Sequence, residues 1–268
     1  MDYMMTWTMF MRAQSLSQRT IDERVSVTSR LMRAAGRDLP DLRSEDIASW
    51  LGSLDVSAST RATYYGHLRA AFVWARSVGL VERSPMDAVP KSRRPRSVPR
   101  PIESSQLDAL LRACNRRRTR MMVLLALFAG LRVHEIAKVR GEDVNLDAGT
   151  LFVDGKGGVR AMIPLHERIS EAVVRDQFPT RGYWFPARDG GHMLPASVSQ
   201  VVGRTMRRAG IQGTAHQLRH WYGTALLDAG TDVRVVQELM RHLSIQSTTI
   251  YTRVSDVQRR DAIGRLAA

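Results

Sequence analysis

The sequence predicts a mainly α-helical protein with a small antiparallel β-sheet, an α+β chain organised as two domains. Three observations lead to that class. Apolar residues recur at steps of three and four through most of the chain, the period of a helix with one buried face. One pair of strand-like runs, 150–153 and 159–163, flanks a glycine-rich turn. A basic, proline-rich stretch then separates an N-terminal portion from the rest of the 268 residues.

From the N-terminus, Met1 to Arg12 is apolar in places, but Asp2 comes early and no basic leader or small-residue cleavage site is present, so no signal peptide is expected. Apolar-periodic stretches at 17–35 and 44–53 predict two helices. Tyr65, Leu68, Phe72 and Ala75 form a core-facing stripe that ends at Gly79 and predicts another. Arg61, Arg69 and Arg76 fall mostly off that stripe. They are candidate phosphate contacts, against the plain reading of a solvated charged face. These stretches predict a helical bundle over 1–88.

The boundary is Val89 to Pro101, expected as a linker over 89–101. Pro90, Pro95, Pro99 and Pro101 disfavour helix, while Lys91, Arg93, Arg94, Arg96 and Arg100 stand without an acid among them. An extended cationic segment lies readily along phosphates, so these five are candidate DNA contacts; a solvated tether is the alternative. A second domain follows over 102–268. Ser105-Gln106-Leu107-Asp108 predicts a capping box opening a helix through Leu111. Met121 to Ala129 is apolar all round and predicts a buried helix. Thr150 to Val153 and Val159 to Ile163 predict a hairpin turning through Asp154-Gly155-Lys156-Gly157-Gly158. From Ser197 onward the chain reads as mostly helical, broken at Gly210, Gly230 and Leu243–Ser247.

Composition narrows the function. Forty Lys and Arg against 26 Asp and Glu give a formal net charge of +14 and a pI near 11.1. So large a surplus favours a polyanion, since cations that bind duplex DNA release its condensed counterions. A solvated basic surface or ribosomal-type RNA binding is the plainer reading of charge alone. Cys114 is the lone cysteine, which excludes disulfide frameworks and zinc clusters and suits a reducing compartment. The longest apolar run, Met121 to Gly130, is far short of the ~20 residues that cross a bilayer. A cytoplasmic protein with no membrane partner is expected.

Arg132, Lys156, His216, Arg219 and His242, five groups able to hold or protonate a phosphodiester, precede a single hydroxyl, Tyr251. A phosphodiester repels nucleophiles and gains charge on its non-bridging oxygens during attack, so fixed cations aimed there are the main remedy. Arginine suits this, because its planar fork meets phosphate oxygens in pairs and stays charged. His216 and Arg219, three apart, share one helical face. Tyrosine titrates near pH 10, so ionising it at neutral pH costs roughly 4 kcal/mol. Two arginines lower that cost, and His216 is the candidate base that takes the proton. Lys156, at the tip of a predicted hairpin, is the candidate donor of a proton to the departing oxygen. His242 would hydrogen-bond the phosphate, and Glu135 would orient Arg132 or the histidines. His134 and His220 are expected to pack or cap locally.

Two other motifs fail. His216 and His220 have the spacing of a zinc-protease pair, but Gln217 stands where that motif requires Glu. Gly155-Lys156 lacks the upstream glycine and following Ser or Thr of a P-loop, having Thr150 and Gly157 instead. No metal site is expected.

Gly130-Leu131-Arg132-Val133-His134-Glu135-Ile136, His216-Gln217-Leu218-Arg219-His220, and Arg241-His242-Leu243-Ser244 ahead of Thr249-Ile250-Tyr251 resemble the tyrosine recombinase (phage integrase) family. The resemblance is specific from about Phe128 to Arg253. It implies that 1–88 is a helical core-binding (SAM-like) DNA-binding domain and 102–268 the catalytic domain. It also implies cleavage by Tyr251 through a 3′-phosphotyrosyl link with a free 5′ hydroxyl, needing no cofactor, ATP or metal. The implied partners are double-stranded DNA attachment sites, a homo-tetramer on two such sites passing through a Holliday junction, and a directionality factor. The chain departs from the family at Gln217, where an acid is common, and at Arg241, where glycine is usual. Arg241 is therefore a candidate additional phosphate contact. No arm-type domain precedes the bundle, so a short form acting on simple sites is expected. The apolar points Ala262, Ile263 and Leu266 could dock on a neighbouring subunit or close over their own domain. The expected function is a site-specific recombinase that integrates or excises a phage or mobile element of a bacterium. A Xer-type dimer resolvase, a type IB topoisomerase-like enzyme, and a non-catalytic DNA-binding regulator are the alternatives.

Overall fold

The computed structural model describes residues 2–91, 101–154 and 160–241. The chain forms two compact units, Met1–Ser97 and Val98–Ala268. Among the described residues, no helix is long and apolar enough to cross a membrane.

In the N-terminal unit, α1 spans Tyr3–Ala13. The sequence analysis assigned no helix there, yet Asp2 Oδ1 accepts from the backbone N–H of Met4 and Met5, both at 3.1 Å. Trp7 and Met11, one turn apart, supply the buried face. Helix α2 (Gln18–Ala35) starts at the Ser17 cap and ends at Gly36, whose φ of 62° is the left-handed stop glycine adopts without penalty. Helices α3 (Ser44–Ser53) and α4 (Ala58–Ser77) complete the bundle. The α4 stripe of Tyr65, Leu68, Phe72 and Ala75 is buried as its spacing requires, against Leu31, Leu39 and Ile47. Trp7 and Trp74 stack within this core with centroids 6.1 Å apart.

The C-terminal unit opens differently from the expected capping box. A one-turn 3₁₀ segment, Ser104–Gln106, precedes α5 (Leu107–Arg112). The bond that closes this start runs from the Glu103 N–H to Gln106 Oε1 at 3.1 Å, while the Ser105 hydroxyl donates to Glu103. The pattern is thus displaced two residues towards the N-terminus, because Gln106 bonds backwards more readily than Asp108 can. Helix α6 (Arg117–Phe128) is buried on every side from Met121 to Leu127. A short helix α7 (Val133–Lys138) follows.

The sheet is antiparallel in the order β1 (Val144–Asn145), β2 (Thr150–Asp154), β3 (Arg160–Pro164). Leu151 pairs with Ile163 and Asp154 with Arg160, so Leu151, Val153 and Ile163 face the core while Phe152 and Met162 face out. Strand β1 had no sequence signal, being two residues long. Val159 and the turn through Gly155–Gly158 lie outside the described residues. Helix α8 (Glu167–Arg175), also unforeseen, starts at His166 and buries Ile169, Ala172 and Val173. Helices α9 (Pro195–Arg208), α10 (Ala215–Asp228) and α11 (Val233–Leu239) follow, with Gly210 and Gly230 at the expected breaks. The Leu243–Ser247 break lies outside the described residues. Burial pushes the Cys114 thiol up to about 11, which leaves it protonated and unreactive at neutral pH.

Candidate active site

The site begins where the buried helix α6 stops. At Gly130 the backbone takes φ 58°, and a Cβ there would run into the Tyr222 ring of α10. Only glycine allows this turn and this approach together. The turn aims the Gly130 carbonyl at two guanidiniums: Arg219 donates to it, and Arg241 Nη2 does so at 3.3 Å.

Arg132 caps α7, and Glu135 closes its first turn by accepting the Arg132 N–H at 2.7 Å. The same carboxylate is fully buried and gathers charge from three parts of the chain. Arg132 Nη1 lies 2.9 Å from Oε1, Arg241 Nη2 lies 2.9 Å from Oε2, and Arg219 Nη1 lies 3.8 Å from Oε2. Three guanidiniums against one carboxylate leave a net charge of +2, which suits an anion with a delocalised negative charge. Burial by itself would raise the Glu135 pKa. Arg241, the Arg132 N–H and Arg219 outweigh it, and the carboxyl is held below its usual value.

The three arginines differ in access. The Arg132 side chain keeps 30% of its surface exposed, Arg241 8% and Arg219 1%. Arg219 also donates to the Met240 carbonyl, and Arg132 Nη2 donates to the Arg241 carbonyl at 3.3 Å. The backbone at the end of α11 is therefore bonded to both arginines, directly before His242. Arg241, a candidate phosphate contact in the sequence, pairs with Glu135 Oε2 at 2.9 Å. Its guanidinium turns inward, and Oε2 thereby gains a close ion pair, as Oε1 does from Arg132.

His216 lies in the first turn of α10, its ring edge-on to His220 at 4.2 Å. Burial, then Arg219, then Arg132 hold its pKa below the ordinary histidine value, so it is neutral at pH 7 and able to accept a proton. His134 is likewise lowered, chiefly by burial. The departure at Gln217 has a local role: its Oε1 accepts the Thr214 N–H at 2.8 Å and helps start α10, a bond a carboxamide makes as well as an acid.

Lys156, His242 and Tyr251 lie outside the described residues, as do Arg93, Arg94, Arg96 and Arg100 and the tail points Ala262, Ile263 and Leu266. Asp154 and Arg160, paired at 3.5 Å across β2 and β3, flank residues 155–159 in the sequence, Lys156 among them. Arg160 also pairs with Asp143, a nearly buried acid at the foot of the sheet. Arg69, Arg76 and Lys91 are exposed. Arg61 is half-buried and donates to the Leu54 carbonyl at 2.7 Å, fastening the turn into α4. Among the described residues, no cluster of His, Cys, Asp and Glu could hold a metal ion.

Sequence reasoning missed Tyr222, the ring that shapes the Gly130 turn. Burial raises its pKa, although Arg241 and Arg219 oppose the rise. Its signal was available: it follows Arg219 by three residues and so shares that face of α10.

A family model described as the phage integrase family matches residues 100–258. The chain belongs to the phage integrase family. Among solved structures, this family member is similar to the integrase from mycobacterium phage Brujita, at 47% identity and a TM-score of 0.54, covering 98% of this chain and 92% of that one. It is similar to tyrosine recombinase XerA of Pyrococcus furiosus, 32% identical over 180 residues, which cover 64% of this chain and 63% of that protein. The match thus spans a little under two thirds of that relative's length. The fold is also shared with a lambda integrase tetramer bound to a Holliday junction, at 19% identity and a TM-score of 0.75, over 90% of this chain and 76% of that one.

Proposed function

We propose that this phage integrase family member is a site-specific DNA recombinase that cleaves and rejoins duplex DNA at short attachment sites. The Tyr251 oxygen attacks the scissile phosphorus, forming a 3′-phosphotyrosyl bond as the bond to the 5′ oxygen breaks. His216 takes the phenolic proton, and Lys156 supplies one to the departing oxygen. Arg132 and Arg219 hold the non-bridging oxygens, helped by a hydrogen bond from His242. The reverse attack by a partner strand's 5′ hydroxyl restores the phosphodiester, so no external energy source enters.

One observation carries the reading. Guanidiniums from α7 and α10 meet at one buried carboxylate beside a neutral histidine, and the chain bonded to them leads directly to His242. The net charge of +14 supports DNA as the partner. Exposed Arg69, Arg76 and Lys91 support a backbone-gripping role for the N-terminal unit as a core-binding domain, with half-buried Arg61 and the linker arginines as further contacts. Four copies on two sites, acting in the bacterial cytoplasm with a directionality factor, complete the proposal. The likeness to a junction-bound integrase tetramer supports that assembly.

The test is covalent capture on a nicked duplex that loses the short fragment after cleavage. The wild-type chain should form a protein–DNA adduct, and Tyr251→Phe should form none while binding the same duplex equally well. Adduct from the phenylalanine variant would remove Tyr251 from the mechanism. Binding without any wild-type adduct would favour a non-catalytic regulator. Joining of two different sites supports integration, whereas relaxation of a supercoiled plasmid alone would favour a topoisomerase-like enzyme.

A further inference from the structure

Arg241 occupies an unusual position for its residue type. Its φ of 52° lies in the left-handed region that glycine adopts freely and a side chain resists. Its side chain is nearly buried, although arginine is among the residues most costly to bury unpaired. Something must hold it there, and the bonds identify what: Glu135 Oε2 at 2.9 Å, the Leu239 carbonyl at 2.9 Å and the Gly130 carbonyl at 3.3 Å.

The oxygen it pairs with is the informative detail. Glu135 has two carboxylate oxygens and three guanidiniums around it. Arg132 takes Oε1, and Arg241 takes Oε2 while Arg219 stands 3.8 Å from that same oxygen. Oε2 also accepts the Arg132 backbone N–H at 2.7 Å. The ion pair at 2.9 Å adds a full positive charge there, which lessens that oxygen's pull on Arg219, since Coulomb attraction in a buried site is weakly screened. Without Arg241 the cluster would hold two guanidiniums and one carboxylate, a net +1 in place of +2. The positive charge facing a bound phosphate would then be halved.

We infer that Arg241 is a positioning residue that neutralises Glu135 and thereby keeps the Arg132 and Arg219 guanidiniums available to the scissile phosphate. This deepens the proposed recombinase function and rests on it. It also separates Arg241 from the exposed arginines. A DNA contact would change affinity, whereas a positioning residue changes the rate of a step that occurs after binding.

The experiment uses the full chain on the nicked duplex, with affinity and single-turnover adduct formation at saturating protein measured separately. Arg241→Met removes the charge but keeps an unbranched stem, and Arg241→Gly relaxes the backbone as well. Both should bind the duplex as the wild type does and form adduct at least about tenfold more slowly, approaching ~10²-fold, as misplaced reacting groups do. Arg241→Lys, which restores the charge, should recover most of the rate. In a Glu135→Gln background, removing Arg241 should slow adduct formation by less than about twofold, because the carboxylate it neutralises is gone.

Unchanged rates in both Arg241→Met and Arg241→Gly would overturn the inference. So would a loss of affinity with no change at saturation, which is the signature of a DNA contact, or a full effect that persists in Glu135→Gln. Failure of Arg241→Lys to recover any rate would mean that the guanidinium fork, and not its charge, is what matters, and would overturn it too. If the wild type itself forms no adduct, the recombinase reading falls and takes this role with it. A wild type that cleaves alongside unaffected variants sinks only the role of Arg241.

Discussion

The two units of this chain each have an apolar core and differ in the polar groups they bury. Among the described residues, the N-terminal unit buries Trp7, Leu31, Ile47, Leu68 and Phe72 around a single buried polar side chain, Thr28. The C-terminal unit has an apolar core of its own, built on Met121 to Leu127, yet it also buries Glu135, Asp143 and Arg219. Burying ions usually contributes nothing net to stability, since desolvation can exceed the attraction between them. A charged interior next to the apolar Met121–Phe128 run therefore points to a chemical purpose. The bundle is organised to hold its shape, and the C-terminal unit to hold its charges in place.

That contrast can be broken most directly at Arg219. Arg219→Ala leaves Glu135 with less counter-charge and the carbonyls of Gly130 and Met240 without this donor. It should slow adduct formation by roughly 10²–10³-fold, the cost of one lost oxyanion donor, in a single-turnover assay. It should also lower stability by about 3–5 kcal/mol in urea denaturation, the usual cost of breaking a buried pair. A variant that keeps both its activity and its stability would show that the buried charge has no purpose of this kind.

Phe72→Ala is the counterpart in the bundle. Its side chain is fully buried, so unfolding of that unit should become easier by about 3–5 kcal/mol, read by regional hydrogen exchange. Adduct formation by folded, DNA-saturated protein should stay within about twofold. A large fall in that rate would mean the N-terminal core also supports the chemistry.

The smallest effect is the response to pH. Glu135 has a folded pKa below its usual 4.5, so its contribution is present above 4.5 and is lost as pH falls through the lowered value, where the unfolded chain binds the extra proton. His216 in one unit and His67 in the other both lie below 6.5, each lowered first by burial. Both units should therefore lose some stability as pH falls below 6.5. Only the C-terminal unit should show the further loss at acid pH that Glu135 causes, measured by hydrogen exchange across a pH series. An equal acid step in both units would erase the distinction.

Much of the fold was legible because periodicity reports burial. The α2, α3 and α4 stripes, the apolar run Met121–Phe128 of α6 and the β2–β3 alternation each match a local pattern to a local structure. Helix α1 escaped notice because its apolar residues do not look periodic until Trp7 and Met11 are known to face inward. Strand β1 is too short to carry a pattern, and the capping at Ser104–Gln106 depended on which of two polar side chains bends backwards. The candidate site was legible only as a list. Residue type, order and the resemblance to a known family offered Arg132, His216, Arg219 and Glu135 as candidates, because phosphate chemistry calls for such groups wherever they sit in a fold.

By itself, then, the order of residues determined the helical periods, the hairpin, the excess of positive charge and the set of groups that suit a phosphodiester. Which of those groups meet was decided by the tertiary structure, because charges far apart in the chain interact only once folding brings them together and excludes water. Arg241 illustrates this best. In the sequence it is one more cation beside a histidine, suited to DNA. In the folded unit it lies against a carboxylate more than a hundred residues away in the chain, and the exclusion of water from that carboxylate makes the pair, not the solvent, its preferred surroundings.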